Sequence, residues 1–156
     1  MKATLLILGL SAAMNAAAQD KPATLTPPPY DAALAERLGA DQRGMKSYVF
    51  VVLKTGPKAN ISKEESAKLF TGHMANIKRL AAEGKLVLAG PFEDNERSYE
   101  GLLIFNVKTV KEAEALLVTD PAVAAGRFTF EAYGWYGSAA LMETTAIHNR
   151  IDKTGR

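Results

Sequence analysis

Tyr48-Val-Phe-Val-Val-Leu53, stopped by Gly56-Pro57, decides the fold. A β-branched and aromatic run ended by a Gly-Pro pair reads as a strand, and the segments after it fall into order around it. Ser62-Lys-Glu-Glu65 spells a capping box, with Ser62 at the N-cap and Glu65 reaching back. It opens a helix with Leu69, Phe70, Ile77, Leu80 and Ala81 on one face and a stop near Gly84. Leu86 to Ala89 is a second strand closed by Gly90-Pro91, and Glu93 to Ser98 is a polar loop. Gly101 to Val107 is a third strand. Thr109-Val-Lys-Glu112 is another capping box, opening a helix through Ala113, Leu116 and Leu117 that Asp120-Pro121 breaks. Ala122 to Gly126 adds a turn, and Phe128 to Tyr136 is a fourth strand. The order β-α-β-β-α-β predicts an α+β, ferredoxin-like fold: a four-stranded antiparallel sheet with two helices on one face.

The first three strands are apolar at successive positions, as in Val49-Phe50-Val51-Val52 and Leu102-Leu103-Ile104-Phe105. Neighbouring residues of a strand point to opposite faces, so both faces of the sheet are apolar. Two helices cover only one. The other is expected to exceed the few hundred Å² of apolar surface that a monomer exposes. A homodimer stacked sheet on sheet is the simplest cover; the alternative is that the N-terminal segment or the tail 139–156 folds over it.

Outside the predicted domain, 45–138, the chain reads as an address, a linker and a tail. Met1-Lys2, the apolar stretch from Ala3 to Leu10 and the small residues ending Ala16-Ala17-Ala18 match a secretory signal cleaved after residue 18. The run from Ala3 to Ala18 is 16 residues long and contains Asn15, short of the ~20 residues that a spanning helix needs. The expected product is exported, periplasmic or secreted, with no membrane attachment after cleavage. Residues 19–44 hold four of the seven prolines and read as an extended linker, with a short helix between Asp31 as cap and Gly39 as stop.

Composition bounds the function without naming it. The 156 residues carry 19 Lys+Arg, 17 Asp+Glu and no Cys. Zero cysteine excludes disulfides, thiolate zinc sites, Fe–S clusters and a cysteine nucleophile. The small net charge leaves no electrostatic footprint for nucleic acid. No glycine-rich loop sits at a strand–helix junction to cradle phosphate. His148 lies with Asp152 in the tail, and two histidines without a ligand spacing are poor evidence for a metal. The inventory calls for no cofactor. The aromatic residues Phe128, Phe130, Tyr133, Trp135 and Tyr136 read as strand core or dimer contact.

His73 is the domain's only histidine. At about 100° per residue from Leu69, Leu80, His73, Ile77 and Phe70 fall at about 20°, 40°, 80° and 100°. His73 therefore faces the sheet. Taken by position, it is a core histidine bonded to a carbonyl or a general acid or base in a pocket between helix and sheet. The neighbouring Gly72 costs a helix interior ~1 kcal/mol relative to alanine, which points to close packing or ligand access. Asp120 before Pro121 is a common helix start. A capping aspartate can also accept a bond from a histidine, and spacing alone leaves both readings open.

Several pieces occur together in order: Gly72-His73, Leu80, Gly84-Lys-Leu86, Leu88-Ala-Gly-Pro91 and Asp120-Pro-Ala-Val-Ala-Ala-Gly126. The segment from Tyr48 to about Gly137 that holds them resembles the YCII-related (YciI-like) family. The resemblance implies ferredoxin-like domains paired as a dimeric α/β barrel, and a histidine–aspartate pair in a cleft beside the sheet, which maps onto His73 and Asp120. The family covers enzymes and many members of unknown activity. With His73 and Asp120 as catalytic residues, the expected chemistry is a lyase-, isomerase- or dehydrohalogenase-type proton transfer on an unidentified small molecule. Such a step needs no metal and no cysteine and so suits this inventory. A non-catalytic binding module or a structural dimer is the alternative.

Overall fold

The computed structural model describes residues 28–154. The expected leader, 1–18, and the start of the linker, 19–27, lie outside them. Of the described residues, 31–154 belong to one compact unit, so the domain extends past the expected 45–138 at both ends. Its elements are helix α1 (Ala32–Leu38), strand β1 (Met45–Thr55), helix α2 (Lys63–Ala82), strands β2 (Leu86–Pro91) and β3 (Tyr99–Phe105), helices α3 (Val110–Leu117) and α4 (Pro121–Ala124), and strand β4 (Phe128–Ser138). A 3-10 helix (Ala139–Glu143) and helix α5 (Thr144–Ile151) follow. The sheet is antiparallel with order β2-β3-β1-β4, the ferredoxin-like arrangement. No helix among the described residues is long and apolar enough to cross a membrane.

The helix boundaries have local causes. Asp31 accepts from the backbone N–H of Leu34 at 2.9 Å, and Gly39 closes α1 with φ of 68°, a left-handed conformation that glycine adopts without a Cβ penalty. At Thr109 both halves of the capping box form: the hydroxyl accepts from Glu112 N–H at 3.2 Å, and the Glu112 carboxylate accepts from Thr109 N–H at 3.1 Å. At Ser62 the serine half forms, with Oγ accepting from Glu65 N–H at 3.2 Å. The return bond from Glu65 is absent among the described residues, and that side chain stays exposed. The third strand begins at Tyr99 and ends at Phe105, two residues earlier than expected. Tyr99 pairs with Lys54 at one end, and at the other Asn106 N–H leaves the strand to donate to Lys85 O at 2.9 Å.

The two sheet faces divide the apolar residues. Val49, Val51 and Leu53 of β1 and Leu103 and Phe105 of β3 are buried against Leu80 of α2 and Ala113 and Leu117 of α3. The opposite face buries Tyr48, Val87 and Ile104, with Phe50, Leu88 and Leu102 packed around them. The cover here comes from the tail: Leu141 and Met142 pack onto this cluster, and Tyr48 OH donates to Ser138 O at 3.1 Å. The cover is partial. Tyr133 and Trp135, on the same face of β4, remain 52% and 38% exposed.

Strand β2 lies at the sheet edge and departs from simple alternation. Leu86 pairs with Phe105 and Leu88 with Ile104, so Val87 is an extra residue in the ladder. The bulge turns both Val87 and Leu88 toward the second face while Leu86 stays in the first core. At the far end of β1, Gly56 N–H donates to Arg127 O at 2.8 Å. A Cβ at Gly56 would lie only 2.3 Å from Gly126 O, so only glycine lets these backbones meet. This contact sets Arg127 and Phe128 beside α2, where the chemistry is gathered.

Candidate active site

Helix α2 carries His73 to the sheet and α4 brings Asp120 to meet it. His73 Nδ1 lies 2.6 Å from Asp120 Oδ2, and both residues are buried. The two readings of Asp120 are both true, one for each oxygen. Oδ1 caps α4 by accepting from the N–H groups of Ala122 at 2.8 Å and Val123 at 3.4 Å. Oδ2 receives His73 and, at 3.5 Å, the side-chain amide of Asn76.

Gly72 explains how two helices come this close. A Cβ there would stand 2.9 Å from Pro121 Cγ and 3.2 Å from its Cβ. The missing side chain lets α4 settle on α2 with Asp120 opposite His73. Close packing, not ligand access, is therefore the role of this mid-helix glycine.

Asn76, one helical turn after His73, was not singled out from the sequence. Its Oδ1 accepts from Arg79 Nη2 at 2.7 Å and from Thr119 Oγ1 at 3.1 Å. With the oxygen so occupied, the amide NH₂ is left to face Asp120. The signal was present in the helical wheel: at about 100° per residue Asn76 lies about 60° from His73 on the sheet-facing arc, where a polar side chain needs a partner.

Burial opposes ionisation of Asp120. The hydrogen bond and charge interaction with His73, and the N–H groups of Ala122 and Val123, outweigh it and hold the carboxyl below its ordinary pKa. An ionised Asp120 accepts only, so Nδ1 carries the proton and a neutral His73 presents its lone pair at Nε2. Nε2 has no hydrogen-bond partner, yet no fully buried polar side-chain atom of the described residues goes unpaired. Nε2 therefore reaches open space. That space is a cleft of about 1110 Å³ between α2, the β2 edge and α5, with His73 in its wall. Phe128 meets the imidazole edge-on at 5.3 Å between ring centres, and Phe70 lies at 6.3 Å.

A second charged group lines the same cleft. Glu100 accepts from Arg127 at 3.1 Å and from Thr55 at 2.6 Å, and the Arg127 guanidinium sits 4.9 Å over the Phe128 ring. Burial works against the Glu100 charge, but the bonds from Thr55 and Arg127 prevail and its pKa is lowered. His148, in the tail, also reaches the cleft wall. Among the described residues no three His, Asp or Glu side chains are grouped to hold a metal ion.

Comparison with known proteins follows the same segment. The chain is similar to the 5-chloro-2-hydroxyhydroquinone dehydrochlorinase of Burkholderia phenoliruptrix AC1100, solved in complex with 2,5-dihydroxybenzoquinone. The two share 20% identity with a TM-score of 0.44, over 56% of this chain and 92% of that one. No curated protein matches. The YCII-related domain model matches residues 45–133, more than half of the sequence. With the β-α-β-β-α-β order and the residues around His73 and Asp120 that first suggested it, that match identifies the chain as a member of the YCII-related domain family.

Proposed function

We propose that this protein is a cofactor-independent small-molecule enzyme in which His73, oriented by Asp120, acts as general base and then general acid. The carrying observation is the 2.6 Å contact at Nδ1, with Nε2 left without a hydrogen-bond partner and His73 in the wall of a cleft. With a carbonyl-bearing or phenolic substrate, Nε2 takes a proton from a carbon activated by the carbonyl. The electron pair left behind forms a double bond and expels a leaving group with its bonding pair, the lyase or dehydrohalogenase outcome. If instead the proton returns at another carbon, the step is an isomerisation. In either case the positive imidazolium is balanced by the Asp120 carboxylate across the ring.

The test is a screen of small carbonyl and phenolic compounds for turnover, repeated with His73→Ala. The expected result is an activity lost on removal of the imidazole, by the 10²–10⁴-fold that general acid–base catalysis contributes. In parallel, imidazole ¹⁵N spectra are expected to show the Nδ1–H tautomer, losing that preference in Asp120→Asn. Ligands that bind without turnover would make the protein a binding module; unchanged ¹⁵N spectra in Asp120→Asn would remove the pair.

Export and self-association belong to the same reading. The lysine, apolar run and Ala16-Ala17-Ala18 of the first 18 residues support secretion, checked by the N-terminal sequence of protein recovered from cells. The partly uncovered second sheet face, with Tyr133 and Trp135, supports a homodimer.

A further inference from the structure

Helix α5 buries none of its residues and runs along the cleft with its polar side toward it. Thr144, Thr145, His148, Asn149 and Asp152 all line the cleft, and their spacing is that of a single helical face. Ile147 and Ile151, on the other side, are 52% and 72% exposed. A helix held to a surface by apolar burial turns the opposite way, so this orientation gives the cleft a polar wall.

The cleft accordingly has two unlike ends. Near His73 its walls include Phe70, Ile77, Leu103 and Phe128, with the Arg127–Glu100 ion pair beside Phe128 as the charged group of that end. At α5 they offer hydroxyls, a carboxamide and an imidazole, with Lys78 and Asp152 as charges of opposite sign. Mixed donors and acceptors without a net charge suit neutral hydroxyl groups better than an ionic group. At about 1110 Å³, the space is at or above the upper end of the ~300–1,000 Å³ usual for ligand sites. A single ring would leave much of it empty. The polar wall is contributed by residues 144–152, beyond the 45–133 that the family match covers.

We propose that the cleft takes an elongated amphipathic molecule, with a ring-sized apolar body against His73 and an uncharged, hydroxyl-bearing tail held by α5. This rests on the reading of the His73 end as the reacting site and adds the class of substrate to it.

The experiment compares three probes by calorimetry on the full chain: 4-nitrophenol, 4-nitrophenyl β-D-glucopyranoside and 4-nitrophenyl phosphate. The glucoside is expected to bind at least tenfold more tightly than 4-nitrophenol and more tightly than the phosphate. In Thr145→Val/Asn149→Leu, at partly and largely exposed positions of α5, that advantage is expected to vanish while 4-nitrophenol binds as before. A glucoside no tighter than 4-nitrophenol, an advantage that survives in the double variant, or a phosphate that binds tightest overturns the tail assignment. If 4-nitrophenol alone binds and shifts the His73 ¹⁵N resonances, the tail assignment fails and the reacting site stands. If no probe binds or perturbs His73, both fall.

Discussion

The two faces of the sheet start from the same continuous apolar runs and end differently. On one face α2, α3 and α4 close over Val49, Val51, Leu53 and Phe105, and the residues left polar there, His73, Asn76 and Asp120, are buried and bonded to one another. On the other, the 3-10 helix covers only part of the surface, through Leu141 and Met142, and leaves Tyr133 and Trp135 open. Closer cover buries the His73–Asp120 contact, so that a short charge-assisted bond can be held beside the cleft. Incomplete cover makes an association surface. The difference lies in the covering elements, since the strands supply apolar residues equally to both.

The contrast can be broken hardest at the covered face. Leu117→Ala removes a fully buried side chain and is expected to cost about 3 kcal/mol in urea unfolding. Leu102→Ala, on the half-covered face, should cost less than half of that at protein concentrations where the chain is monomeric. Equal costs would mean that the second face is as well packed as the first.

Asp120→Asn comes next, at about 2 kcal/mol, because an ionised acceptor for both His73 and the α4 N–H groups is lost. Its pH dependence has a defined sign. The folded pKa of Asp120 lies below its ordinary value, so its contribution is present above an unfolded value of about 3.9. It is lost as pH falls further, through the folded value. Stability of the wild type and of Asp120→Asn, measured from pH 7 to pH 2, should converge on the acid side; a constant gap would show that the charge of Asp120 contributes nothing.

Gly72→Ala sharpens the comparison at one contact. Alanine gains ~1 kcal/mol of helix propensity, but its Cβ would meet Pro121 at 2.9 Å, an overlap that costs about 1–3 kcal/mol. A small net destabilisation is expected, with loss of the Nδ1–H preference in the His73 ¹⁵N spectrum. A stabilised variant with that preference intact would show that α4 yields freely.

The smallest effect on folding, and the clearest on association, is expected at Trp135. It is the chain's single tryptophan and packs against Tyr48 and Phe50 with ring centres 5.9 and 6.4 Å away. Its emission should shift to the blue as concentration rises and a second copy covers this face. Trp135→Glu should sediment as a monomer with monomer stability changed by under about 1 kcal/mol. Emission that does not change with concentration would leave the second face uncovered in solution.

Local sequence signals carried the architecture a long way. The β-branched run at Tyr48–Leu53, the stops at Gly56-Pro57 and Gly90-Pro91 and the caps at Asp31, Ser62 and Thr109 act within a few residues of themselves, so they can be read without knowing the fold. The same holds for the burial of His73, which a helical period alone predicts, and for Asp120 as a cap. Periodicity could not show that these two residues meet. They are 47 positions apart, and the contact depends on how closely α4 packs on α2 at Gly72. That pairing was legible only through resemblance to a family. Asn76 was missed because its role depends on Thr119 and Arg79, partners that helix packing supplies.

The sequence by itself determined the element order, the two apolar faces and which side of α2 is buried, because strand and helix periods are properties of neighbouring residues. Only the tertiary structure decided that one carboxylate serves both as cap and as histidine partner, that residues 139–151 fold back on the sheet, and that α5 turns its polar side to the cleft. Those outcomes depend on distances between segments far apart in the chain, which are set by the packing of all the elements at once.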